Sequence, residues 1–395
     1  MCDALYLMNR RTFATTLIGT AGALAASIPT RATAAGTKYV VYFGPYTNAK
    51  TGSKGIYKAT FDAATGDLGA PVLAAETASP SFLEIHPSKK YLYAVGEMGG
   101  ATQKGGAVSA FAIDLPSGDL KLLNQVSSGG AGPCHVNVDK TGKVVGVANY
   151  SGGSCASYAV QADGSLSEAV SFFQHEGSSV NEKRQKGPHA HSFNYSPDGR
   201  FAFVCDLGLD TVIIYQVDAQ TAKLTKHGEG VVPPGSGPRH LAFHPSGKFI
   251  FVNNEMTLTC TVFAYDAEKG SMTALDTVSC LPKDVPWEAR YSTAETRVHP
   301  NGKFVYVSCR THDTIARFSF DEATGKLVHL GNTPSGGQIP RNFNLDPSGQ
   351  WLLAAHQDSG NVVVFQVDAT TGDLKPTGKE VQVGGCVCVR FVALD

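Results

Sequence analysis

The chain has 395 residues, 42% apolar and 17% charged, with 43 glycines and 20 prolines. That apolar share excludes a disordered chain, and so much glycine with so little charge excludes a long coiled coil. Lys and Arg number 33 against 34 Asp and Glu, a net charge of −1, so nothing marks nucleic acid as a partner.

Residues 1–34 read as a targeting segment. Arg10-Arg11-Thr12-Phe13 precede a run of small apolar residues from Ala14 to Ile28, and Ala32-Thr33-Ala34 supplies a small-x-small cleavage pattern. The paired arginines predict a twin-arginine signal, with Met8 as a natural start, and hence a periplasmic or secreted protein. The run is short and rich in Gly, Ala and Thr, so no stable membrane insertion is expected once it is removed. Of the nine cysteines, Cys2 leaves with this segment, and none of the others forms a CxxC pair. No zinc site is readable, and most cysteines are expected to be small buried residues.

Residues 35–395 carry two interleaved repeats. The first is a polar turn, Phe61-Asp62…Gly66-Asp67-Leu68, which recurs near Asp114, Asp163, Asp218, Asp266, Asp321 and Asp368. The seven copies are spaced at about 46 to 58 residues, a blade-sized period. The second is a tighter turn, His244-Pro245-Ser246-Gly247-Lys248, with relatives at His86, Asp139, Ser196, His299 and Asp346. Its proline presets one turn residue, its glycine takes the positive-φ position, and an aromatic or β-branched strand follows. No segment sustains a 3.6-residue apolar period. The prediction is an all-β, seven-bladed β-propeller forming one domain. Tyr39–Phe43 should pair with strands near Val387–Val392 to close the ring and remove its edges.

Because the tight turn joins two antiparallel strands, residues equally far before and after it lie at one end of a blade. Eight residues back from each turn glycine, or from Lys89 in its place, stand Ser81, Cys134, His191, Arg239, Ala294 and Arg341. Eight forward stand Glu97, Tyr150, Leu207, Glu255, Arg310 and Gln357. The predicted rim carries His191, Arg239, Glu255, Arg310, Arg341 and Gln357, with His135, His189, His240 and Arg297 beside it. Three Gly-Pro entries, at Gly132, Gly187 and Gly237, each deliver a donor or base to that rim, which suggests a polar pocket. His189 and His191 are two apart on one strand face, but no acidic cluster accompanies them and no metal is expected.

The motifs Gly187-Pro188-His189-Ala190-His191, Gly237-Pro238-Arg239-His240, Asn253-Asn254-Glu255, Ala294-Glu295-Thr296-Arg297-Val298-His299-Pro300 and Pro340-Arg341-Asn342-Phe343 stand in a fixed order. In them the chain resembles the lactonase family of seven-bladed propellers, which includes bacterial 6-phosphogluconolactonases and carboxy-cis,cis-muconate cyclases. The resemblance runs from about residue 38 to the end. It implies His191, Arg239, Glu255 and Arg297 as working groups. Arg297 lies only five residues before its turn glycine, so strand alternation would aim it differently from Arg239.

Opening a lactone needs an activated water, oxyanion stabilisation and a proton for the leaving alkoxide. His191 is the favoured base and Glu255 the alternative. Arg239 would hold Glu255 ionised or bind an anion, while Arg297 and Arg341 would grip a phosphate or carboxylate through paired N–H bonds. No Gly-x-Ser-x-Gly motif is present, so water attacks directly. The expectation is a lactone hydrolase, 6-phosphogluconolactonase-like, acting without a cofactor on a small anionic lactone. The competing readings are a muconate-type cyclase and a non-catalytic exported binding propeller. Residues 172–186 form a long polar loop before the His191 motif, either a lid or a surface excursion.

Overall fold

The computed structural model describes residues 37–99 and 105–394, so the predicted targeting segment lies outside the described residues. Every regular element in them is a strand. The strands form seven antiparallel sheets arranged as a propeller. In six of these the chain runs outward strand by strand. Blade 1 uses Leu83–Ile85, Tyr91–Gly96, Ala107–Asp114 and Asp119–Ser127, and blades 2 to 6 repeat the order from Pro133, Ala190, Pro238, Ser292 and Pro340. The seventh is closed by both ends of the chain. Cys386–Ala393 is its innermost strand and pairs with Lys38–Pro45, Val41 opposite Phe391. Closure as expected from Tyr39–Phe43 leaves the inner ring without an open seam.

The tight repeat is the inner hairpin turn of blades 1 to 6, and the polar repeat is the outer turn of all seven. The glycine of the tight turn takes positive φ, 71° at Gly247, and Lys89 accepts the same region at 62°. These turns also stitch neighbouring blades. His86 Nε2–H donates to Gly142 O at 2.9 Å, and His244 and His299 do the same to Gly302 O and Gly349 O at 3.0 Å. Tyr42 and Tyr306 donate their hydroxyls to the outer-turn carbonyls of Gly118 and Gly372 at 2.8 Å.

Between blades the facing residues are apolar. Phe203 and Ile214 of blade 3, for instance, pack with Leu241, Ile250 and Val252 of blade 4. Each such side chain contributes roughly 1.5–3 kcal/mol on burial. All eight described cysteines are buried and unpaired. The packed interfaces make the ring a rigid frame for whatever the inner strands carry at its mouth.

Candidate active site

The inner strands do not run evenly. In blade 2 the register slips at Cys134, in blade 3 at His191, in blade 4 at Arg239 and in blade 6 at Arg341. Blade 5 slips across Ala294 and Glu295. These are the positions eight residues before the turn, so the shared sequence register marks a β-bulge. A bulge re-aims side chains that regular alternation would send to opposite faces. Arg239 and the adjacent His240 accordingly both reach blade 5, Arg239 at Ala294 O and His240 at Glu295. Five of the six residues eight after the turn are fixed by one recurring bond. The N–H groups of Glu97, Tyr150, Leu207, Glu255 and Gln357 donate to Ser79, Gly132, His189, Gly237 and Ile339 carbonyls.

At the mouth the groups converge on Glu255, which is 5% exposed. Its Oε1 pairs with Arg184 Nη2 at 2.8 Å; its Oε2 pairs with Arg310 Nη2 at 2.9 Å and Arg239 Nε at 3.2 Å. His191 Nε2 stands 3.9 Å from the same Oε2. Burial alone would raise the Glu255 pKa, but Arg310, Arg239, His191 and Arg184 outweigh it and hold the carboxyl well below its ordinary range. Burial, then Arg239 and His240, push the His191 pKa well below its ordinary value too, so its imidazole is neutral at pH 7. Burial, with Arg341 and Arg310 close by, brings Arg239 down to about 9, still protonated at neutral pH. The Arg341 guanidinium lies 5.7 Å from the Tyr46 ring. Among the described residues no carboxylate comes within 4 Å of it, so it has no ion-pair partner to give up on binding an anion.

A second cluster is built one layer further in. His240 Nδ1–H donates to Glu295 Oε1 at 3.1 Å, and its Nε2 accepts from Arg239 Nη1 at 3.1 Å. Glu295 Oε2 takes Arg297 Nη2 at 3.4 Å and the amide of Asn342. His135 packs at 5.1 Å from His240 and 4.0 Å from Phe82, ring to ring.

The structure therefore divides the predicted residues. His191, Arg239, Glu255 and Arg310 meet, and Arg341 flanks them. Arg297 does not join them. It belongs to the inner cluster through Glu295, as its register had warned. His135 and His240 also sit in that inner layer. His189 stacks on Tyr150 at 4.7 Å and bonds Tyr150 O. Gln357 bonds its neighbour Asp358 and lines a separate hollow beside Tyr46. Sequence reasoning passed over Arg184, Glu97, Tyr46 and Glu295. Glu97 shares the register of Glu255 and was recoverable from it. Arg184 has no local signal, for it comes from the loop before Gly187 and acquires its role only by tertiary contact. That loop is narrower than expected, since the strand Leu166–Gln174 takes in its first residues.

The model of the family described as Lactonase, 7-bladed beta-propeller, matches residues 40–391. The chain is 35% identical to the 6-phosphogluconolactonase of Bacillus subtilis over 90% of its own length and 99% of that protein. It is 36% identical to the 6-phosphogluconolactonase of Formosa agariphila, covering 87% and 97%. Among solved structures, the periplasmic gluconolactonase of Pseudomonas aeruginosa superposes with a TM-score of 0.84 at 32% identity, covering 91% of this chain and all (100%) of that one. The chain belongs to the lactonase family of seven-bladed β-propellers.

Proposed function

We propose that this protein is a lactone hydrolase, 6-phosphogluconolactonase-like, that opens a sugar-acid lactone by direct attack of water. The observation that carries the reading is the convergence of a neutral imidazole, an ionised carboxylate and several guanidinium groups on one mouth. His191 takes a proton from water as the water oxygen bonds to the lactone carbonyl carbon. Arg239 and Arg341 stabilise the oxyanion, a contribution of roughly 10²–10³ in rate for one well-placed donor. Collapse breaks the bond between that carbon and the ring oxygen, and the His191 imidazolium returns the proton to the leaving alkoxide. The product is an open-chain hydroxy acid, which ionises at neutral pH.

Glu255 orients Arg239 and Arg310 and favours the transient imidazolium at 3.9 Å. Replacing His191, Arg239 or Glu255 with Ala is expected to lower turnover at least tenfold with the fold intact by circular dichroism. Normal rates in all three would overturn the assignment.

The site of action we propose is outside the cytoplasm, after twin-arginine export, on the strength of Arg10-Arg11 and the small-residue run behind them. An unphosphorylated lactone fits that location better than a sugar phosphate. Changing Arg10-Arg11 to Lys-Lys should trap unprocessed protein in the cytoplasm. A panel of phosphorylated and plain lactones then identifies the substrate.

A further inference from the structure

The mouth holds a second carboxylate that the reaction above does not use. Glu97 follows the second strand of blade 1 as Glu255 follows that of blade 4, each fixed by the same backbone bond, at 3.0 Å and 2.7 Å. Blades 1 and 4 stand three places apart in a ring of seven, so the two carboxylates enter one mouth from nearly opposite sides. Their surroundings differ in kind. Glu255 is caged by three arginines. Glu97 Oε2 instead accepts from two hydroxyls, Tyr46 Oη at 3.0 Å and Ser81 Oγ.

Among the described residues no cation lies within ion-pair distance of Glu97, and none donates a hydrogen bond to its Oε1. Its charge supports Arg341 only from beyond ion-pair distance, so no guanidinium N–H occupies its oxygens. A half-buried carboxylate oriented by neutral hydroxyls, with acceptor capacity left over, suits further hydroxyl donors. It is a poor match for a second carboxylate, which it would repel.

We infer that Glu97 is a specificity-determining residue that accepts hydrogen bonds from the ring hydroxyls of a polyhydroxylated lactone, across the mouth from His191 and Glu255. Tyr46 and Ser81 hold its side chain in place. The inference rests on the proposed hydrolase reading and assigns to one residue its preference for a sugar lactone over plain alkyl lactones and diacids. A site built to bond a substrate hydroxyl discriminates strongly against the analogue that lacks it, because its polar group is then left unpaired.

The test compares glucono-δ-lactone with δ-valerolactone, which has the same ring size and no hydroxyls. Wild-type protein should favour glucono-δ-lactone in kcat/KM by at least a hundredfold. Glu97→Gln should cut that preference at least tenfold, chiefly through a higher KM for glucono-δ-lactone. Tyr46→Phe should move it in the same direction by a smaller factor. An unchanged preference in Glu97→Gln, whether or not both rates fall together, would assign Glu97 a structural role and overturn the inference. Equal wild-type rates on the two lactones would overturn it while leaving the hydrolase reading intact. Turnover of neither, nor of any other lactone, would sink the hydrolase reading itself.

Discussion

Glu255 and Glu295 invite comparison because both are buried carboxylates that arginine side chains contact, one layer apart in the same channel. Glu295 is satisfied by protein on both oxygens: His240 Nδ1–H and the Thr296 N–H serve Oε1, Arg297 and Asn342 serve Oε2. It has no position left for a substrate atom. Its effect on the mouth is indirect, through His240 to Arg239. Glu255 is served only by arginines, one of which, Arg184, keeps a side chain 44% exposed. Guanidinium groups on flexible stems can turn from a carboxylate to a bound anion. The outer carboxylate is therefore placed to take part in reaction, and the inner one to hold the donor that does.

The largest effect should come from Glu255→Gln. Arg239, Arg310 and Arg184 would lose their common counter-charge, and His191 the carboxylate beside its imidazolium. Turnover is expected to fall about 10²–10³-fold in steady-state assays, the scale of losing one oriented charge in a dry site. Glu295→Gln should cost less in turnover, roughly tenfold, because Arg239 is only loosened. It should also cost stability, about 2 kcal/mol in denaturant melts, since Asn342 loses a charged acceptor and Arg297, with its side chain 27% exposed, loses its carboxylate partner. The reverse ranking in turnover would exchange the roles assigned to the two layers.

Acid titration tests the same pair of layers together. Burial first, then neighbouring cations, pushes His135, His191 and His240 well below their ordinary 6.5. Below pH 6.5 the unfolded chain binds these protons and the folded one does not, so stability falls as pH falls. Each histidine can contribute a slope of up to about 1.4 kcal/mol per pH unit. Glu255 has a depressed pKa, so its contribution is present above the unfolded carboxyl value of 4.5 and is lost only as pH drops through its lower folded value. Denaturant midpoints should therefore decline from pH 6.5 downward, with His135→Gln flattening the slope. A midpoint constant between pH 7 and 5 would mean that these rings are solvated.

Much of this arrangement was legible in the chain, for reasons that particular residues make plain. The blade count rests on turn chemistry at Gly66, Gly247 and their copies, where local conformation dictates residue type. The mouth was legible because a hairpin fixes which residues share an end, so counting from Gly199 and Gly247 alone reached His191, Arg239 and Glu255. The bulges were not legible. Nothing in Pro238-Arg239-His240 announces the extra residue that turns both side chains inward, and so His240 was placed at the rim. Arg297 was carried by motif resemblance, while its register pointed away from Arg239, and the geometry followed the register. Arg184 was beyond reach, since a loop's contact with a blade two places on depends on how the whole ring folds.

Arg184 also provides the smallest expected effect. Its guanidinium meets Glu255 at 2.8 Å and Tyr150 Oη at 3.0 Å from the outer side of the cluster. The loop that carries it does not depend on that contact. His175 Nδ1 is tied to Asp206 at 2.6 Å, Ser179 to Asp210, and Gln185 Nε2 to Leu207 O at 2.9 Å. Asp206 also accepts the His189 N–H, so one carboxylate secures both ends of the loop. In Arg184→Ala the loop should therefore stay in place and Glu255 should stay ionised by Arg239 and Arg310. A half-exposed ion pair is worth no more than about 1 kcal/mol, so the melting temperature should move by about 2 °C or less. What remains is a lost cation at the entrance, read as a rise in KM of roughly threefold with kcat nearly constant, a split that marks uniform binding. A hundredfold fall in kcat would instead place Arg184 among the reacting groups and make the loop part of the catalytic apparatus.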